Sequence, residues 1–118
     1  MTMGSVGNLI IDSNELINSG TLQSGVDTII TGGTIDNRGD IISNGAFQVS
    51  ATNYINSGDQ FSNDNASFLL SNFTNSGQIT TNATLTIDSA LADQSGKINV
   101  YENAVFTIDD YRQSGQLA

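Results

Sequence analysis

The 118-residue sequence contains no cysteine, no histidine, no proline and no tryptophan. Without thiols or imidazoles, thiolate-bound zinc, histidine-ligated haem and Ser-His-Asp catalysis are excluded, and no disulfide can staple the fold. The lack of cysteine suits a chain that crosses oxidising space without mispairing. Basic residues are scarce as well: Arg38, Lys97 and Arg112 stand against twelve acids, for a net charge of −9. No Lys/Arg cluster exists to neutralise phosphates, which argues against nucleic acid and anionic membranes as partners. No apolar run approaches the roughly 18 residues of a membrane span, so no membrane insertion is expected. The start, Met1-Thr2-Met3-Gly4-Ser5, has neither the basic nor the apolar region of a signal peptide, and residues 1–5 read as a tag or cloning scar.

What fills the chain instead is small and polar: 14 Asn, 14 Ser, 12 Thr and 12 Gly, with charged residues at 13%. Such a composition suits either disorder or a fold in which polar side chains stack on their own kind. Periodicity decides between them. Gly20, Gly39, Gly58, Gly77, Gly96 and Gly115 are each nineteen residues apart, with no insertion or deletion between them.

Rows of nineteen turn the sequence into columns. One holds Ile11, Ile30, Val49, Phe68, Ile87 and Phe106 without exception. A second holds Leu16, Ile35, Tyr54, Phe73, Ala92 and Tyr111, with Leu91 expected to compensate for Ala92. A third holds Met3, Leu22, Ile41, Gln60, Ile79, Ile98 and Leu117, where a local slip is expected to bring Phe61 in for Gln60. A fourth holds Leu9, Thr28, Phe47, Ala66, Leu85 and Ala104. Alternation such as Ala83-Thr84-Leu85-Thr86-Ile87-Asp88 means strands with one buried face, and no window shows a helical stripe. Short strands on a fixed nineteen-residue period predict a single all-β domain over residues 1–118. The expected fold is a right-handed parallel β-helix, or β-solenoid, of six coils about 4.8 Å apart.

Two columns explain the polar composition. Asn18, Asn37, Asn56, Asn75, Gln94 and Gln113 lie above one another, a spacing at which amides hydrogen-bond along the axis as a ladder. The glycines that follow mark a corner, where positive φ is expected.

Ile35-Asp36-Asn37-Arg38-Gly39-Asp40-Ile41, followed by Asn44-Gly45-Ala46-Phe47-Gln48-Val49, resembles a known repeat. It is similar to the nineteen-residue hemagglutinin repeats of filamentous-hemagglutinin-like adhesins, secreted by the two-partner route in Gram-negative bacteria. Autotransporter passengers are the near neighbour. The resemblance implies a right-handed β-helix shaft, an extracellular or cell-surface location, and a role in attachment or contact-dependent competition, with a host glycan or protein as receptor.

The alternative reading is a polysaccharide-active β-helix enzyme using Asp40 and Asp59. Polysaccharide-active β-helices need clustered carboxylates, and Asp40 and Asp59 share a column at about one coil step, ~4.8 Å. Asp109-Asp110 with Arg112 is the other cluster. Equal repeat lengths leave no long loops to build a cleft, so the expectation is a non-enzyme with no cofactor and no metal. The Gly-Gly-x-Gly-x-Asp pattern of calcium β-rolls is not repeated, since Gly32-Gly33-Thr34-Ile35-Asp36 occurs once. Three N-glycosylation sequons, at Asn65, Asn72 and Asn82, are expected by chance in so Asn-rich a chain.

The terminal rows carry apolar residues and no visible cap. Two readings follow: a piece cut from a longer shaft, or head-to-tail homopolymerisation, the latter expected to rest Phe106, Ile108 and Tyr111 of one copy on Leu9, Ile11 and Leu16 of the next. Ser5 to Ala118 spans six repeats, so a second copy continues the coil once Met1 to Gly4 swing outward.

Overall fold

The computed structural model describes residues 2–117; for Thr2, Met3, Ser5, Gln116 and Leu117 the backbone alone is described. Every regular element is a strand, and the strands alternate short and long. The short ones are β1 (Thr2–Ser5), β3 (Thr21–Ser24), β5 (Asp40–Ser43), β7 (Asp59–Ser62), β9 (Gln78–Thr81), β11 (Lys97–Val100) and β13 (Gln116–Leu117). The long ones are β2 (Leu9–Asn18), β4 (Thr28–Asn37), β6 (Phe47–Asn56), β8 (Ala66–Asn75), β10 (Leu85–Gln94) and β12 (Ala104–Gln113). Short strands form one seven-stranded sheet and long strands one six-stranded sheet, each stacked in coil order. All pairings are parallel, and each residue faces the one nineteen positions away, as in Ile30↔Val49 and Ile41↔Gln60. The chain is a β-solenoid of about six coils.

Each long strand covers two walls of the tube. In β8 the buried residues run Ala66, Phe68, Leu70 and then Phe73 and Asn75, so the period-two alternation skips one residue between Leu70 and Phe73. Pairing lapses there in every coil, at Asn14, Gly33, Thr52, Ser71, Ala90 and Asp109. A change of inward phase at a break in the ladder is a bend, so the coil has three walls.

The core fills this tube. Ile30, Val49, Phe68 and Ile87 of the first column are buried, and Ile11 and Phe106 at its two ends are partly so. Its middle is aromatic: Tyr54 lies 5.0 Å from Phe68 and 6.2 Å from Phe73, and Phe47 meets Phe68 edge-on at 5.6 Å. A fifth inward column, unremarked in the sequence, runs Ser13, Gly32, Ala51, Leu70, Ser89 and Ile108 beside them. It is narrowest at Gly32 and Ala51 and widens to Leu70 in the coil that holds Phe68 and Phe73.

Two expected compensations are corrected. Phe61 does not slip inward; Gln60 keeps its place between Ile41 and Ile79 and is 1% exposed. A one-residue shift would also expel the buried Ser62, and the pairing on both sides of β7 forbids it. Leu91 does not replace Ala92, which stays buried while Leu91 faces solvent at 50% exposure. Met3 and Leu117 belong to the third column by register, but their side chains lie outside the described residues.

The core therefore holds polar groups without partners: both amide atoms of Gln60, the Tyr54 hydroxyl and Thr28 Oγ1. A buried unpaired amide opposes folding. Replacing Gln60→Ile, in a column of isoleucines, raises stability by about 1–3 kcal/mol, read as a higher thermal midpoint by circular dichroism. An unchanged or lowered midpoint contradicts this account of the column.

Burial pushes the Tyr54 hydroxyl well above its ordinary titration range. Unfolded tyrosine ionises near pH 10, whereas Tyr54 in the fold keeps its proton, so the unfolded state binds fewer protons above that pH. The stability tied to the neutral hydroxyl is whole below about pH 10 and falls as pH rises beyond it. Tyr54→Phe has no such proton to lose. Its midpoint declines less between about pH 9.5 and 11.5 than wild type, and parallel declines would contradict the assignment.

Candidate functional site

The most elaborate polar arrangement is the column of amides at the corner between long and short strands. Asn18 Nδ2 donates to Asn37 Oδ1 at 2.9 Å, Asn37 to Asn56 at 2.8 Å, Asn56 to Asn75 at 2.9 Å, and Asn75 to Gln94 Oε1 at 2.7 Å. Asn18 is 1% exposed, and Asn37, Asn56, Asn75 and Gln94 are fully buried. All donors point toward the higher-numbered coil, so the ladder has a direction. Each Asn amide also donates across the corner, as Asn37 Nδ2 does to Asp59 O at 3.1 Å. The backbone joins in: Asn37 O accepts from Ser57 N at 2.9 Å and Gly58 N at 3.1 Å. Gln113 differs. It is exposed, and its amide meets Gly115 O at 3.5 Å and the Tyr111 hydroxyl within its own coil.

The corner glycines are needed for another reason than the one expected. No glycine among the described residues has positive φ. Instead the coils touch: a Cβ on Gly58 would sit 2.0 Å from Gly39 O, and one on Gly77 2.1 Å from Gly58 O. Gly39, Gly96 and Gly115 meet the same obstacle in the carbonyl one coil below. Those carbonyls accept hydrogen bonds from the following coil, as Gly39 O does from Asp59 N at 2.9 Å, so they cannot move away.

The second corner carries devices that the sequence reading missed. Ser24, Ser43, Ser62 and Thr81 are fully buried in one column. Ser43 Oγ donates to Ala46 O at 2.8 Å, and Ser62 Oγ donates to Thr81 Oγ1 at 3.3 Å. Nearby, Asn8 Oδ1, Asp27 Oδ1 and Asn65 Oδ1 accept the backbone N–H of Asp27, Ala46 and Thr84, one coil up. The signal was present in the period: a Ser/Thr and an Asx recur nineteen residues apart, but a small polar residue gives no apolar alternation to draw attention.

Asp40 and Asp59 are register neighbours on the outer face of the short-strand sheet, and both are exposed. Their column reads Thr21, Asp40, Asp59, Gln78, Lys97, which places the base two coils, about 10 Å, from Asp59. Asp109, Asp110 and Arg112 lie on the outer face of β12, also exposed. Among the described residues no three acidic side chains converge. The single ion pair among them joins Arg38 Nη2 to Asp36 Oδ2 at 2.8 Å.

The two ends of the coil stack are unequal, against the expectation of two open apolar faces. Leu9 and Leu16 are already covered, at 8% and 9% exposure. At the other end Phe106 and Ile108 are only partly covered, Val105 is 49% exposed and Tyr111 37%. In the single chain Thr2↔Thr21 through Ser5↔Ser24 pair as a strand, so Thr2 to Gly4 occupy the place from which a docking copy is expected to move them. Met1 and Ala118 lie outside the described residues.

Truncating a buried rung leaves its neighbours without partners, which costs more than losing a wet one. Asn56→Ala lowers stability by about 1–3 kcal/mol in denaturant titration. Asn53→Ala, in the half-exposed chain Asn72–Asn53–Thr34 on the outer wall, costs clearly less because water replaces the lost bonds. Equal losses would contradict the ladder's role. No family model, curated protein or solved structure matches the chain.

Proposed function

We propose that this chain is a structural β-solenoid: a shaft or filament unit of a secreted or surface-bound bacterial adhesin, joined coil on coil to a further copy of itself. It is not an enzyme in this reading, and it carries no metal or cofactor; any receptor, glycan or protein, is met by the outer walls. The observation that carries the reading is the state of β12. It is an edge strand of ten residues, and its inward side chains Phe106, Ile108 and Tyr111 remain partly uncovered where the same columns are sealed in the middle coils. A parallel edge of that length over unfinished core accepts another coil by strand addition.

The direction of the amide ladder favours head-to-tail union. Gln113 ends it with an amide outside the sealed column, and the next position of the lattice belongs to Asn18 of another copy. A head-to-head union would set two like ends of the ladder against each other. Association through the side walls is opposed by the charge of −9, a repulsion that weakens as salt rises. The resemblance to hemagglutinin repeats supports the extracellular setting and the adhesive role.

Wild-type chain at high concentration and moderate salt forms elongated assemblies by light scattering and electron microscopy. Ala104→Pro, at the position whose N–H faces the next coil as Leu85 N does toward Asn103 O at 2.8 Å, removes a donor from the open edge of β12, loses the long assemblies and keeps most of the β signal in circular dichroism. Wild-type protein that stays monomeric refutes self-stacking.

A further inference from the structure

The fourteen asparagines of the chain are chemically labile side chains, and the fold does not place them equally. An asparagine converts without any enzyme when the backbone nitrogen of the following residue reaches its side-chain carbonyl carbon. A following glycine, lacking Cβ, obstructs that approach least. Asn44-Gly45 is the one such pair in the sequence. Asn18, Asn56 and Asn75, each before a serine, are buried with their amides committed to the inner ladder. Asn82 donates to Asn63 at 2.9 Å, and Asn72 to Asn53 at 2.7 Å. Asn44 differs from all of these. It is exposed, it lies in the corner between β5 and β6, and its side chain makes no hydrogen bond among the described residues.

We propose that Asn44 is a site of spontaneous covalent modification, and that the hydrogen bond from Gly45 N to Val26 O at 2.5 Å is the latch that restrains it. In the reaction Gly45 N gives up its proton and bonds to Asn44 Cγ. The side-chain nitrogen leaves as ammonia, and a five-membered imide remains. Water then opens the imide at either carbonyl, leaving an aspartyl or an isoaspartyl unit at position 44. Gly45 N cannot attack while its N–H is given to Val26 O, so the reaction proceeds from a locally opened corner. The product fits the corner badly for two reasons. Gly45 O accepts Asp64 N at 3.1 Å from the next coil, so the main chain is gripped on both sides, and an isoaspartyl unit adds a carbon to it. Asp27 is the other obstacle. A Cβ on Gly45 would sit 2.4 Å from Asp27 Oδ1, which accepts Ala46 N at 2.9 Å, so the new carboxylate arises beside an existing one. This chemistry belongs to the inner coils and is independent of whether copies stack.

The test incubates the full chain in mildly alkaline buffer, folded and in denaturing urea, and follows its peptides by mass spectrometry with an isoaspartate-specific methylation assay. In the folded protein, position 44 exchanges its amide for a carboxyl at least about tenfold faster than any other asparagine. In urea, where the latch is open throughout, position 44 converts at least about tenfold faster again. Folded protein enriched in the isoaspartyl form melts at a lower temperature than fresh protein. Asn44→Gln, whose longer side chain cannot close the five-membered ring, melts like wild type when fresh and keeps its midpoint on incubation. An Asn44 that stays intact in the folded chain, or another asparagine that converts as fast there, overturns the site. Equal rates at position 44 in buffer and in urea overturn the latch.

Discussion

Everything in this molecule depends on one constraint: each residue lies directly on the residue nineteen positions before it, at the interstrand distance. In a parallel in-register stack a side chain must tolerate a near-copy of itself above and below. Aliphatic residues do so by packing and amides by donating in one direction and accepting in the other. Glycine does so at the corner by leaving room for the carbonyl of the previous coil. Charged residues stack badly, which is why Asp40 over Asp59 occurs on an outer, solvated face. The scarcity of charge and the abundance of Asn, Ser and Thr are consequences of this geometry.

The same constraint makes the exceptions informative. Gln60 sits in an isoleucine column and Tyr54 in an aliphatic and aromatic one, and neither polar group finds a partner. Both are held inward by the register of the coils on either side, which the chain cannot change at one strand without changing it throughout. Local sequence preference gives way to the stack, at a cost in unpaired polar groups that the aromatic contacts of Phe47, Phe68 and Phe73 help to offset.

A solenoid closes its hydrogen bonds everywhere except along the first and last strands, so its chemistry is concentrated at its ends. The outer walls carry single carboxylates, amides and scattered apolar side chains on flat sheet. The β12 edge carries a row of backbone donors and acceptors over the partly covered Phe106 and Ile108.

The sequence alone determined the period, the strand type, the first core column and the amide ladder, because a nineteen-residue repeat without insertions leaves a single vertical register. Ile30, Val49, Phe68 and Ile87 could be read as one buried column from spacing alone. Tertiary structure decided what periodicity cannot express. It kept Gln60 in and Leu91 out, since burial depends on the register of both neighbouring coils and not on local hydrophobicity. It replaced positive φ by interstrand contact as the reason for the corner glycines, since the clash of a Cβ with a carbonyl one coil away is invisible along the chain. It also paired residues 2–5 into the short-strand sheet, because a strand edge with open donors and acceptors binds whatever backbone lies within reach.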